Sequence, residues 1–275
     1  MSQSFRRIQR AAMTLMELLI VVSILGLLAL LAIPKLMDVY EKSRSGMQAY
    51  SISDVARAME NHYGAYGKYP DGLDTLLNES DEKLYSQTTT TRIHPSLAAM
   101  LTTHTVTAGQ QSSLELAGVG HGFRHVYTAG QPHSDSGTLR HHFGTGTGHD
   151  GTTNIQTFAK LDTSNAAIQN IILKDLNLNA NKSAGGADDT TFLANNVFLV
   201  FGVGPRNTMV GRVNQTAAIF ESATPASYYA RAIAVFMVPA TDPTVAKPAR
   251  LVGVIGPDGR TMKDSVNDYN QNTAH

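Results

Sequence analysis

Ten histidines, 22 carboxylates and no cysteine set the chemistry open to this 275-residue chain. Without cysteine there is no disulfide, thiolate zinc site, iron–sulfur cluster or thiol nucleophile. Six of the histidines, His121, His125, His133, His141, His142 and His149, fall between positions 121 and 149, within a stretch at 102–158 that is rich in Gly, Thr and Ser. His121 and His125 have the spacing that aligns two metal ligands on a helix, but Gly120 and Gly122 argue against a helix there. The expectation is solvated loop histidines rather than a metal centre. The string Gly146-Thr147-Gly148-His149-Asp150-Gly151 is a literal G-x-G-x-x-G. It lacks the preceding strand and following helix that a dinucleotide fingerprint needs, so it reads as a glycine loop. Ser80-Asp81-Glu82-Lys83 is an S-x-x-K without its partner motifs, and neither G-x-S-x-G nor H-E-x-x-H occurs. No catalytic constellation emerges, and the chain is expected not to be an enzyme.

One carboxylate stands apart, because of the element that carries it. Residues 13–33 contain 17 apolar side chains in 21, broken only by Thr14, Glu17, Ser23 and Gly26. As a helix the run is about 31 Å long, the thickness of a bilayer core. Arg6, Arg7 and Arg10 precede it with no acid, leaving 19 bases against 22 acids, a formal −3, in the rest of a chain whose net charge is zero. Such a basic start predicts a cytoplasmic N-terminus and a translocated body. A secretory signal peptide also starts basic, but its apolar core is only about 7–15 residues and ends at a small-x-small site. Here the run is longer, no such site follows closely, and an acid lies inside it. A carboxylate at that depth either stays hydrated at the headgroup boundary or is met by a cation inside the membrane. Overall neutrality gives no sign of a nucleic-acid partner.

The string Ala12-Met13-Thr14-Leu15-Met16-Glu17-Leu18-Leu19-Ile20-Val21-Val22 resembles the leader junction of type IV pilins and type II secretion pseudopilins. The resemblance implies cleavage by a prepilin peptidase between Ala12 and Met13 and N-methylation of Met13. Glu17 then becomes the fifth mature residue and Pro34 the twenty-second, as in the family. The family usually has Gly before the cut, and this chain has Ala12. The resemblance further implies that Glu17 of one subunit neutralises the Met13 α-amine of a neighbour. Removing one partner of such a buried pair costs about 3–5 kcal/mol. Gly26 and Pro34 bracket the weakest stretch of the helix, where family filaments can loosen. Implied partners are the peptidase, other copies or homologous pseudopilins, the inner-membrane assembly platform and the lipid bilayer.

Beyond Pro34 the apolar residues Leu36, Tyr40, Met47, Tyr50, Val55, Met59 and Tyr63 recur at three- to five-residue steps. They predict an amphipathic helix over 35–63 that buries this stripe and is stopped by Gly64 and Gly67. Residues 67–77, from Gly67-Lys68-Tyr69-Pro70 through Asp71-Gly72-Leu73, resemble the turn and short helix that follow the long helix in major pseudopilins. Members of that group commonly hold calcium near the C-terminus. Candidate ligands here are Asp188 and Asp189, or Asp258, Asp264 and Asp268, though neither set has a known loop spacing. Solvated turn aspartates are the competing account, and no other cofactor is expected.

Residues 102–158 read as an irregular surface insertion. Residues 165–176, with Ile168, Ile171, Ile172 and Leu176 on one face, predict a short helix. Residues 197–201, 229–238 and 250–255 predict strands, the last followed by the turn Gly256-Pro257-Asp258-Gly259. The expected fold is α+β: a long N-terminal helix packed on a C-terminal antiparallel sheet head with a long Gly/Thr/His-rich insertion. The expected organisation is a leader at 1–12, a transmembrane and assembly helix at 13–34, an amphipathic helix at 35–63 and an extracytoplasmic head at 64–275. The function implied is a structural filament subunit in the inner membrane, head outward, serving type II secretion. The alternative is a membrane-anchored binding module or minor tip pilin using the same export route.

Overall fold

A computed structural model describes residues 15–79, 82–85, 92–125, 139–144, 154–176, 178, 187–221 and 227–271. Helix α1 (Leu15–Tyr66) runs for 52 residues, about 78 Å, straight through Pro34. Pro34 has no amide hydrogen, so the Leu30 carbonyl loses its intrahelical donor at that point. The helix stops at Gly67 alone, whose φ of 67° suits only glycine well and whose amide donates to Tyr63 O at 2.7 Å; Gly64 lies within the helix.

The head then builds β1 (Leu73–Asn78), α2 (Pro95–Ala98), β2 (Leu101–Thr105), α3 (Ala108–Ala117), β3 (His121–His125), β4 (Leu139–His142) and β5 (Thr157–Leu161). After these come α4 (Ala166–Asn170) with a π-turn at Ile171–Asp175, α5 (Ala187–Ala194), β6 (Asn196–Gly202), β7 (Ile233–Pro239), β8 (Arg250–Ile255) and α6 (Met262–Gln271). The eight strands form one sheet. Strand β6 is its hub, pairing with β7 along its length, with β5 at Leu199 and Val200, and with β1 at Gly202. Strand β1 runs parallel to β3, so the sheet is mixed rather than antiparallel.

Alternation along the central strands separates two cores. Leu199 and Phe201 of β6, with Ala234, Phe236 and Val238 of β7, meet Ile52, Val55, Ala58 and Met59 of α1. Phe198, Val200, Ile233 and Val235 face the other way, onto Ile168, Ile172, Leu173 and Leu193. Helices thus cover both faces, which is why the central strands read as continuous apolar runs.

Three further expectations need correction. The buried seam of α1 is Ser45, Gln48, Ala49, Ile52, Val55, Ala58, Met59 and His62, whereas Leu36, Tyr40, Met47 and Tyr50 are exposed. The predicted stripe fails because its steps drift round the helix by about half a turn between Leu36 and Tyr63 at 100° per residue. Small and polar residues hold the seam where α6 and the head approach closely: Gln48 Nε2 donates to Asp258 Oδ1 at 2.7 Å, and His62 Nδ1 donates to Lys68 O at 2.9 Å. Residues 73–78 form a strand, not the short helix of the resemblance, because the whole segment is buried and β3 supplies its backbone partners. Much of residues 102–158 is regular structure, including β2, α3, β3 and β4. Helix α3 carries a full capping box, Thr107 with Gln110, and ends at Gly118 with φ 96°.

Candidate functional site

About half of α1, its N-terminal part, is left unburied by the head. Every large apolar side chain from Met16 to Tyr40 is between 47% and 73% exposed, on all sides of the helix. The most apolar 18-residue window of this helix has a mean hydropathy of 2.7 and contains no buried residue. It is long and apolar enough to cross a membrane, and unlike the core helix of a soluble protein it is not packed inside the fold. Its polar atoms are few and provided for. Ser23 Oγ donates to Leu19 O at 2.7 Å, and Glu17 sits in the first turn, where the helix dipole favours a carboxylate. Around Gly26 there is nothing within 4 Å of where a Cβ would stand, leaving that face open to close approach. Pro34 lies between this segment and the head. Ala12 and Met13 fall outside the described residues.

Burial begins at Ser45, where the helix meets the head. Two clefts open there. An apolar groove of about 230 Å³ lies between Tyr40, Met47 and the Ile219-Phe220-Glu221 segment, which the Arg44 guanidinium ties down through Glu221 O at 2.7 Å. A polar cleft of about 310 Å³ is lined by Glu41, Arg44, Gln48, His94, Asp258, Arg260 and Asp268, among others.

The second cleft holds two of the three C-terminal aspartates considered for calcium, Asp258 and Asp268, and the structure gives those two and Asp264 other partners. Asp258 Oδ1 accepts from Gln48 Nε2 and from Arg260 N, and Asp268 pairs with Arg260. Asp264 caps α6: its Oδ2 accepts from Thr261 N at 3.0 Å while its own amide donates to Thr261 Oγ1 at 3.1 Å. Asp189 is buried on α5, and the Asp188 side chain lies outside the described residues. Among the described residues no group of three or more His, Asp or Glu is placed to hold a metal ion.

The histidines are less solvated than expected. His121, His141 and His142 stand on the β3–β4 hairpin, not in a loop. His121 Nδ1 meets Asp71 Oδ2 at 2.6 Å, and buried His141 lies 3.0 Å from Glu79 Oε2. Beside them, buried Arg124 reaches Glu82 Oε1 at 3.0 Å and Glu79 Oε2 at 3.8 Å. Burial raises the Glu82 pKa, but hydrogen bonds from Arg124 and Thr157 and the Arg124 charge outweigh it, so the carboxyl titrates below its ordinary value. The side chain of His125, the residues His133 and His149, and the 146–151 glycine loop lie outside the described residues. Separations of about fifty positions, such as Asp71 to His121, hide these pairs from any local motif. Comparison with models of protein families, with curated proteins and with solved structures finds no match to this chain.

Proposed function

We propose that the chain is a structural subunit of a pseudopilin or type IV pilin-like filament, cut by prepilin peptidase between Ala12 and Met13 and serving type II secretion from the inner membrane. One observation carries the proposal: a helix of 52 residues leaves its apolar first third uncovered, with Glu17 as the one acid among residues 13–33. A bilayer solvates such a segment before assembly, and neighbouring copies pack on it afterwards. In that setting Glu17 selects register, since its carboxylate is stable at depth only where a cation, the Met13 α-amine of another copy, reaches it. The head contributes the outer surface. Intact-mass measurement of the mature protein tests the cut: an N-methylated Met13 start supports the proposal, and a start near Ile33 overturns it. Glu17→Ala is expected to remain membrane-inserted yet fail to enter filaments, scored by filament yield at equal membrane abundance; normal assembly of that variant overturns the role given to Glu17.

The strand at Leu73–Asn78, where a major pseudopilin would have a turn and short helix, favours a second reading, a minor tip subunit or anchored binding module. Subunit counting in isolated filaments separates the two, because a major subunit outnumbers a tip subunit greatly.

A further inference from the structure

We propose that the cross-strand pair His121 and His142 binds one divalent transition-metal ion of the imidazole-preferring kind, with Asp71 orienting the first ligand. The site lies on the head and does not depend on the filament reading.

Strands β3 and β4 place His121 directly opposite His142. The Phe143 amide donates to Gly120 O at 3.0 Å, which makes the histidine pair a non-hydrogen-bonded one, the position where opposite side chains stand closest. Their backbone groups point elsewhere: His121 N donates to Asp71 Oδ1, His121 O accepts from Gly72 N, and His142 O accepts from Ile155 N. The two rings meet at 4.0 Å between centroids, inclined by 60°.

The carboxylate beside them is fixed. Asp71 Oδ1 accepts from Gly120 N at 3.0 Å and His121 N at 2.8 Å, and Oδ2 meets His121 Nδ1 at 2.6 Å. With Nδ1 engaged, Nε2 is the ligand atom His121 has left. This carboxylate–imidazole arrangement is the one that orients histidine ligands and raises their basicity. The ring nitrogens of His142 make no hydrogen bond among the described residues.

A structural Asp71–His121 strut explains one ring but not the second imidazole packed against it. Two protonated rings at that distance repel; two neutral rings sharing a metal ion attract. Arg140 also faces the site, its guanidinium 4.0 Å from Asp71 Oδ2, and the carboxylate charge offsets it. Two nitrogen ligands leave the other coordination positions to water, so the site is open and exchangeable. Imidazole selects Zn²⁺, Cu²⁺ or Ni²⁺ over the oxygen-seeking Ca²⁺ and Mg²⁺.

The test is titration of the full chain in detergent with Zn²⁺ alone, in competition with a chelating dye, at pH about 7.5. One equivalent is expected to bind more tightly than the background of the other histidines and to be undisturbed by excess Ca²⁺. His142→Gln is expected to weaken that equivalent by tenfold or more, and Asp71→Asn by about tenfold. His104→Ala, on β2, is expected to leave it unchanged. Should the variants fold poorly, electron paramagnetic resonance of the Cu²⁺-loaded wild-type chain still decides, two coordinated nitrogens being expected. Absence of a stoichiometric ion, equal uptake by His142→Gln and His104→Ala, or a Cu²⁺ spectrum without two nitrogens overturns the proposal.

Discussion

Arg124 is among the few charged side chains the head buries, and its surroundings show how the hairpin is anchored. Its guanidinium joins Glu82 and Glu79, residues that follow β1, to strand β3. Glu82 also accepts from Thr157 Oγ1 at 3.0 Å, so strands β3 and β5 meet at one carboxylate. Because the Glu82 pKa is lowered in the fold, its contribution to stability is present above the ordinary glutamate value and is lost as pH falls through the folded-state pKa, below about 4.3. The side chain is 52% exposed, so solvent screening holds the effect to less than about 1 kcal/mol. Denaturant unfolding of wild type and Glu82→Gln at pH 6 and pH 3.5 checks this. The variant is expected to be slightly weaker at pH 6 and to lose less stability on acidification; identical pH dependence would show the pairing to be energetically silent. Glu17 could be singled out in the sequence because its apolar neighbours are local. Arg124 and Asp71 could not, because their partners arrive through strand pairing.

At the scale of elements, legibility followed whether the hydrophobic signal was local and unambiguous. Strands β6, β7 and β8 and the helical turn at α4 are readable, being apolar runs, largely buried in β6 and β7, or a periodic face that buries Ile168. The seam of α1 is not, since exposed Tyr40, Met47 and Tyr50 are as apolar in sequence as buried Ile52 and Met59. Helix α6 was also concealed: Thr261-Met262-Lys263-Asp264 is a capping box, yet its aspartates invite a calcium reading although their spacing fits no known loop. Helix α3 was concealed by its Gly- and Ser-containing sequence, though Thr107-x-x-Gln110 and Gly118 mark both ends. Gly118 is the element's most demanding position, with φ 96° and only 2.6 Å from its would-be Cβ to Lys68 Cβ. Gly118→Ala is therefore expected to destabilise the head by at least about 1 kcal/mol. Thermal unfolding against Gly120→Ala checks it, since the nearest atom to a Cβ at Gly120 is at 3.9 Å and its φ is not positive. Equal loss in both variants would assign the effect to glycine content rather than to the turn.

The whole molecule divides its apolar surface between two solvents. The head satisfies its own, with two cores on the faces of one sheet, and the first residue of α1 buried there is Ser45. Nothing that the head buries comes from residues 16–43, so the exposed segment adds no packing to the fold it is attached to. Arg44, bonded to Glu221 O, marks the boundary. A chain beginning at residue 41 should then fold as the full protein does, because it keeps the complete α1 seam, the Gln48–Asp258 bond and the α6 docking surface at Gly46, where Tyr269 packs within 3.6 Å of a would-be Cβ. It should also leave the membrane fraction, because Leu36, Met37 and the continuous apolar run before them are gone. The measurement is paired: detergent-free solubility of the truncated chain by sedimentation, and its thermal midpoint against the full chain in micelles. Solubility with a midpoint within about 4 °C is expected, a difference that for a domain of this size corresponds to roughly 1–2 kcal/mol. A soluble but molten head, lacking a cooperative transition, would mean that the uncovered segment props up the fold. A truncated chain that still pellets with membranes would place a second membrane-binding surface on the head and deprive residues 16–40 of the anchoring role.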